Sequence, residues 1–216
     1  MGELIMLAER RAARRTRTLR AHAPSRVEFL FDLSCPFSYL AAERLERAFG
    51  DVIWTPACTA ALHCGSPAAD PHELARMRAA AERRAAELRL PLVWPERFPD
   101  AVPAAMRAAS YASECGRGAP FVLAAGRLAF CGGFDLDDPE ILAEAAAAAG
   151  IGMDGCLQAV GEIRRDGAIE AAGRRLLAAG ADRLPALRVG QSLFSGEDRV
   201  AEAAAAARMR AAAAAH

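Results

Sequence analysis

Among the residues able to do chemistry, Cys35 has the most informative neighbours. It follows the apolar run Val27-Glu28-Phe29-Leu30-Phe31 and the polar step Asp32-Leu33-Ser34, and Pro36 comes directly after it. Proline suits the first turn of a helix, where its missing N–H would be unpaired anyway. Cys35 therefore stands where a helix begins. Free backbone N–H groups and the positive end of the helix dipole favour thiolate there, the form that acts as a nucleophile. The pattern predicts a reactive sulfur at a strand-to-helix junction; a small buried cysteine that merely precedes a helix is the alternative. The remaining cysteines, Cys58, Cys64, Cys115, Cys131 and Cys156, are scattered and read as core or loop residues. Cys58 and Cys64 with His63 lack both the spacing and the fourth ligand of common zinc sites. His22, His63, His72 and His216 show no metal-ligand spacing, so no metal is expected.

The elements that must position this sulfur follow from apolar periodicity. Val27–Phe31 is β-branched and aromatic, as in a buried strand. Tyr39, Leu40, Leu45 and Phe49 keep a roughly helical period until Gly50, and Val52-Ile53-Trp54-Thr55 reads as a second strand. Strand, helix, strand makes a parallel βαβ unit with the cysteine at the helix start. Asp70-Pro71-His72-Glu73 carries a cap, a first-turn proline and an acid, which opens a helix running to about Leu88. Arg83, Arg84 and Glu87 are expected on its wet face. Prolines 91, 95, 99 and 103, with Trp94 and Phe98 among them, make the next stretch an ordered connector rather than helix. Trp94 and Phe98 either line a crevice between domains or simply pack this connector. Helices are expected at about 104–115, 119–131, 139–149, 154–164 and 167–179. Beyond Gly180, two short runs around Gly190-Gln191 predict a hairpin, and Gly196-Glu197-Asp198-Arg199 opens a terminal alanine-rich helix.

Length and charge set the outer bounds. The 216 residues can bury a sizeable core without disulfide staples. A composition 53% hydrophobic and 25% charged is that of a soluble globular chain. Acidic and basic residues balance at 27 each, so there is no electrostatic case for nucleic acid or a membrane as partner. Six arginines between positions 10 and 20 read as a solvated tail in preference to a targeting or nucleic-acid arm. No secretory signal or membrane span is evident, and the scattered cysteines suit a reduced cytoplasmic setting.

The run Phe31-Asp32-Leu33-Ser34-Cys35-Pro36-Phe37-Ser38-Tyr39-Leu40 resembles the active-site segment of the DsbA-like thioredoxin-fold superfamily. Its pattern is most like the branch holding 2-hydroxychromene-2-carboxylate isomerase and kappa-class glutathione transferases. That branch typically reads Phe-Asp, a short gap, then Ser-Pro-Phe/Tyr-Ser-Tyr/Trp-Leu. The resemblance extends through Leu90-Pro91-Leu92-Val93-Trp94-Pro95, Phe98-Pro99, Asp138-Pro139-Glu140, Leu184-Pro185 and Gly196-Glu197-Asp198-Arg199. It implies an α/β, thioredoxin-like fold with a helical domain inserted between its β-α-β and β-β-α halves. The divisions are a basic tail at 1–25, a thioredoxin-like domain at 26–66 and 181–216, and an inserted helical domain at 67–180.

The same resemblance implies roles for particular residues. Cys35 takes the place of the serine that hydrogen-bonds the glutathione sulfur, which is equally the place of the nucleophilic cysteine in DsbA-like oxidoreductases. Ser38 supports it, in the position of the second cysteine of a Cys-x-x-Cys pair, so no redox disulfide can form within this motif. Pro36 and Phe37 complete the helix start facing the cofactor. Pro185 matches a cis-proline, Leu184 offers backbone hydrogen bonds to a glutathione-like peptide, and Glu197 and Asp198 hold its γ-glutamyl end. Ser66 stands near an asparagine that contacts glutathione in the kappa class. The implied activity is isomerisation or conjugation of a hydrophobic small molecule, dependent on glutathione or another low-molecular-weight thiol. A monothiol disulfide oxidoreductase and a non-catalytic binding module are the alternatives. Members of this branch are often homodimers.

Overall fold

A computed structural model describes residues 26–62 and 70–214. The arginine-rich segment, His63, Cys64, Ser66 and the proposed boundary at 66/67 lie outside the described residues. Strand β1 (Val27–Phe31) leads through helix α1 (Pro36–Ala48) to β2 (Val52–Pro56). A short 3-10 turn, Thr59–Ala61, precedes a block of six helices: α2 (Pro71–Leu88), α3 (Pro103–Glu114), α4 (Gly118–Phe130), α5 (Pro139–Ala148), α6 (Met153–Gly161) and α7 (Arg164–Ala178). Hairpin β3 (Ala186–Val189) and β4 (Ser192–Ser195) then leads through a 3-10 turn, Glu197–Arg199, into α8 (Val200–Ala214). The expected order β-α-β, helices, β-β-α is therefore present.

The sheet order is β2-β1-β3-β4. β1 pairs parallel with β2, from Val27↔Val52 to Phe31↔Pro56, and antiparallel with β3, from Val27↔Val189 to Leu30↔Ala186. Bounded on both edges, β1 buries Val27, Phe29 and Phe31 on one face and Leu30 on the other, where partly exposed Glu28 accepts from the Thr55 hydroxyl. Phe29 and Phe31 are fully buried against Trp54, with ring centroids 5.0 and 6.1 Å away. One apolar cluster runs from β1 and α1 into α3, α4 and α5, so the helical block and the sheet share a core around Leu40, Leu45, Phe121 and Phe130. A smaller cluster around Leu30, Leu176 and Leu184 seats α7 against the start of β3.

Local chemistry fixes the helix starts. Asp70 and Asp138 cap α2 and α5 by accepting the N–H of His72 and of Glu140, each at 2.8 Å, with proline at the following position. Such caps contribute about 1 kcal/mol each. The proline-rich connector is ordered: Trp94 packs on Phe98 with centroids 4.6 Å apart, and Arg78 lies over both rings at 5.1 and 5.2 Å.

Candidate active site

Cys35 is the residue preceding α1, in extended conformation (φ −93°, ψ 116°), with Pro36 opening the helix. The peptide turns because Cys35 N–H donates to Asp32 O at 3.1 Å, while Ser38 N–H and Tyr39 N–H close the first helical bonds on Cys35 O. Across a gap, the Cys35 thiol donates to Leu184 O at 3.7 Å, and Leu184–Pro185 is a cis peptide. Hairpin and active-site helix therefore meet at the sulfur, although 149 residues separate these partners.

Ser38 is buried, and its oxygen accepts the Asp32 N–H at 3.2 Å. Its own proton is thereby free to point at Cys35. Asp32 is 6% exposed and has no cation beside it among its hydrogen-bond partners. Its Oδ1 accepts the Ser34 N–H at 2.9 Å and the Ser34 hydroxyl at 2.7 Å, and its Oδ2 accepts the Thr59 N–H at 2.8 Å. This is an Asx turn extended across to the segment after β2.

The ionisation of Cys35 departs from expectation. Burial is the largest influence and pushes the thiol up to about 11; the Asp32 charge adds to the rise. The Ser38 N–H, the Ser38 hydroxyl and the Phe37 N–H favour the ionised sulfur but do not prevail. Three donors at a helix start stabilise a thiolate only in so far as desolvation leaves it charged, and here desolvation is stronger. Burial thus works against the thiolate that the helix start favours. The residue as a whole is nevertheless only partly covered.

Glu197 requires a second correction. It is 3% exposed, and both its oxygens are held by arginines: Arg44 of α1 on Oε1, and Arg84 of α2 on Oε2 at 2.5 Å. A carboxylate enclosed in this way locks three segments together and is not presented to a ligand ammonium. Arg84, expected on the wet face of α2, turns inward to this contact. Asp198, by contrast, has 63% of its side chain exposed and pairs loosely with Arg183 at 3.3 Å. Both lie beside Gly196, whose N–H donates to Pro185 O at 2.7 Å. At φ +104°, Gly196 occupies a conformation that favours glycine, and a Cβ would collide with Asp198 and Arg183. The turn therefore links Asp198 to the Leu184–Pro185 peptide. Pro36 is buried and acts by setting the helix entry, whereas Phe37 contributes its N–H.

Next to Ser34 a small cleft of about 30 Å³ lies between the active-site loop and the helical block. Leu33, Phe98, Val102, Phe130 and Phe134 supply apolar walls. Phe98 thus lines the crevice, while Trp94 does not and packs behind it, donating its indole N–H to Glu82 at 2.8 Å. Sequence reasoning assigned no role to Asp32, Thr59, Arg44 or Arg84. The Asp-x-Ser spacing at 32–34 was a readable signal for the turn; nothing local foretold contacts to Glu197 from residues 153 and 113 positions away. Among the described residues, all five cysteines are free, no cluster of His, Cys, Asp or Glu suits a metal, and no helix is long and apolar enough to cross a membrane.

Comparison with solved structures gives the same architecture. A 2-hydroxychromene-2-carboxylate isomerase superposes with a TM-score of 0.72 at 18% identity, covering 88% of this chain and 99% of its own. The cytosolic disulfide reductase DsbM from Pseudomonas aeruginosa, solved with GSH, gives 0.59 at 20% identity, covering 85% of this chain and 96% of its own. No curated protein matches in sequence. The family description "DSBA-like thioredoxin domain" fits residues 26–208, which include the Cys35 helix, the inserted helices and the cis-proline hairpin. The chain belongs to the DSBA-like thioredoxin domain family.

Proposed function

We propose that the protein is an isomerase or transferase that uses a low-molecular-weight thiol, glutathione or an analogue, on a hydrophobic small molecule. The observation that carries this reading is the Cys35 sulfur at the start of α1, facing the cis Leu184–Pro185 peptide at 3.7 Å, where burial pushes its thiol up to about 11. A nucleophilic cysteine needs a depressed pKa. Cys35 instead has the properties of a hydrogen-bond donor, the role a serine hydroxyl plays. The likeness to an isomerase, and to a reductase solved with GSH, supports a thiol-handling site.

A thiol cofactor fits the residues present. The Cys35 sulfur, the donors at the start of α1 and the Leu184–Pro185 peptide converge on one place. When bound, such a cofactor supplies a sulfur that adds to an electrophilic carbon, isomerising the substrate if it departs again and conjugating it if it stays. Cys35 S–H, released from Leu184 O, and the two N–H groups stabilise negative charge at that sulfur. Ser38 keeps Cys35 oriented, and Asp198 stands at the exposed rim to pair a ligand ammonium. Leu33, Phe98 and Phe130 beside Ser34 give the hydrophobic partner apolar neighbours. Unpaired cysteines suit a reducing cytoplasmic location.

Glutathione binding, measured by calorimetry, and Cys35 alkylation, followed against pH, test the reading together. Support requires binding, together with an alkylation inflection near 11. With an electrophilic substrate in hand, Cys35→Ser should keep activity within about tenfold, whereas Cys35→Ala should lose on the order of 10²-fold, as when one charge-stabilising donor is removed. Absence of binding by glutathione or any other small thiol would overturn the proposal. A mixed disulfide trapped on Cys35, with an inflection below pH 8, would replace it with monothiol oxidoreductase chemistry.

A further inference from the structure

At the end of α1 remote from Cys35, two grooves meet across the turn Phe49-Gly50-Asp51. One, of about 240 Å³, is bordered by Arg26 and Val27, the first described residues, and by Ala207 and Ala211 of α8. The other, of about 470 Å³, runs past the end of α1 and along β2, where Leu45, Phe49, Ile53 and Trp54 give it apolar walls. Ile53 is 42% exposed there. Glu46 and Asp51 are the charged residues of this larger groove, and no arginine lines it. The negative end of the α1 dipole adds to their charge. Arg47, in the last turn of α1, borders neither groove. The smaller groove sets Arg26 and Arg208 against Asp51, so an excess of acid is found in the larger one alone.

We infer that the larger groove seats the chain's own N-terminal segment, with Leu4-Ile5-Met6-Leu7 against Phe49, Ile53 and Trp54 and the arginines that follow beside Glu46 and Asp51. Charge complementarity is the first argument. Residues 1–25 hold six arginines against Glu3 and Glu9, an excess of four positive charges. The whole chain is neutral, so the residues from Arg26 onward carry four negative charges in excess. Position is the second. The segment joins the fold at Arg26, which borders the neighbouring groove, and the 19 residues back to Leu7 can span up to about 60 Å. Tethering supplies an effective concentration on the order of mM, so a weak contact suffices to keep the groove filled. The segment is then seated on the fold, in place of the solvated tail that its charge alone suggests. Cys35 lies about 20 Å away at the other end of the 13-residue helix, so this contact leaves the sulfur open and does not rest on the thiol reading.

Trypsin cuts after arginine, so the segment can report its own docking in the full chain. The initial rate of cleavage after the six arginines from Arg10 to Arg20, followed by mass spectrometry at low ionic strength, should be at least tenfold slower than in a synthetic peptide of residues 1–25. Added salt should narrow that difference. Leu4→Ser/Leu7→Ser, Glu46→Gln/Asp51→Asn and Ile53→Arg should each raise the rate in the full chain at least threefold. Cys35 alkylation on the same samples should not change, whereas unfolding would expose the thiol and speed it, so a released segment is told apart from a lost fold. Glu46 and Asp51 are both exposed, so their double variant decides the case if Ile53→Arg unfolds. Cleavage as fast as in the peptide, or protection that the groove variants leave intact, would overturn the inference. Protection that weakens on dilution would assign the groove to a second copy of the chain and overturn it as well.

Discussion

Asp32 and Glu197 are both buried carboxylates within the architecture around Cys35, and they do opposite things. Glu197 is neutralised by two arginines and serves as a clamp between α1, α2 and the turn after β4. Asp32 is satisfied only by neutral donors, two N–H groups and a hydroxyl, so its charge acts undiminished on the neighbouring sulfur. The residue class is the same; the partners decide whether the charge is structural or electrostatic. A buried carboxylate held by cations fixes geometry, and one held by neutral donors adds its charge to what burial already does to its neighbour.

This contrast can be broken most severely at the clamp. Glu197→Ala should cost about 2–3 kcal/mol in denaturant unfolding, somewhat below the value for a fully buried pair because the abandoned arginines keep about a quarter of their exposure. Next comes alkaline pH. The Cys35 pKa rises on folding from an ordinary 9.0 to about 11, so its contribution to stability is complete below pH 9. Between those values the unfolded chain loses the proton and the folded chain keeps it, so stability falls as pH rises, by roughly 3 kcal/mol in all. Subtracting the same titration for Cys35→Ser isolates the effect, and an identical alkaline slope in that variant would refute it.

Asp32→Asn sharpens the other half of the comparison. Removing the charge should lower the Cys35 pKa, seen as alkylation at lower pH, and should cost about 1–2 kcal/mol from weakened bonds to Ser34 and Thr59. A Cys35 pKa unchanged or higher would contradict the electrostatic role. The smallest effect is expected at the exposed pair: Asp198→Asn should change stability by less than about 1 kcal/mol while weakening glutathione binding. Equal losses in Asp198→Asn and Glu197→Ala would erase the distinction between rim and clamp.

The parts of the fold that could be read in the sequence were those written in short-range chemistry. Proline after Asp70 and Asp138, glycine at 190 between two short strands, and the apolar run of β1 each specify an element within a few residues. At the site, the meeting of Cys35 with the Leu184–Pro185 peptide was legible through the family pattern, whereas the burial of Ser38 behind it was not. The ionisation of Cys35 was not. Local sequence shows the donors at a helix start, but the desolvation that outweighs them comes from distant segments packed around the sulfur. Glu197 failed for the same reason, since its arginines arrive from α1 and α2.

The register of β1 also bears on how the chain can be made. Its parallel neighbour begins at Val52, but its other edge waits for Ala186–Val189, after the whole helical block has been synthesised. Until then the most apolar strand of the molecule carries an unpaired row of amides and carbonyls, which is the surface that recruits wrong partners. A nascent chain stopped short of the hairpin would be expected to need a chaperone, and the ground around Cys35 cannot close before Leu184–Pro185 has emerged.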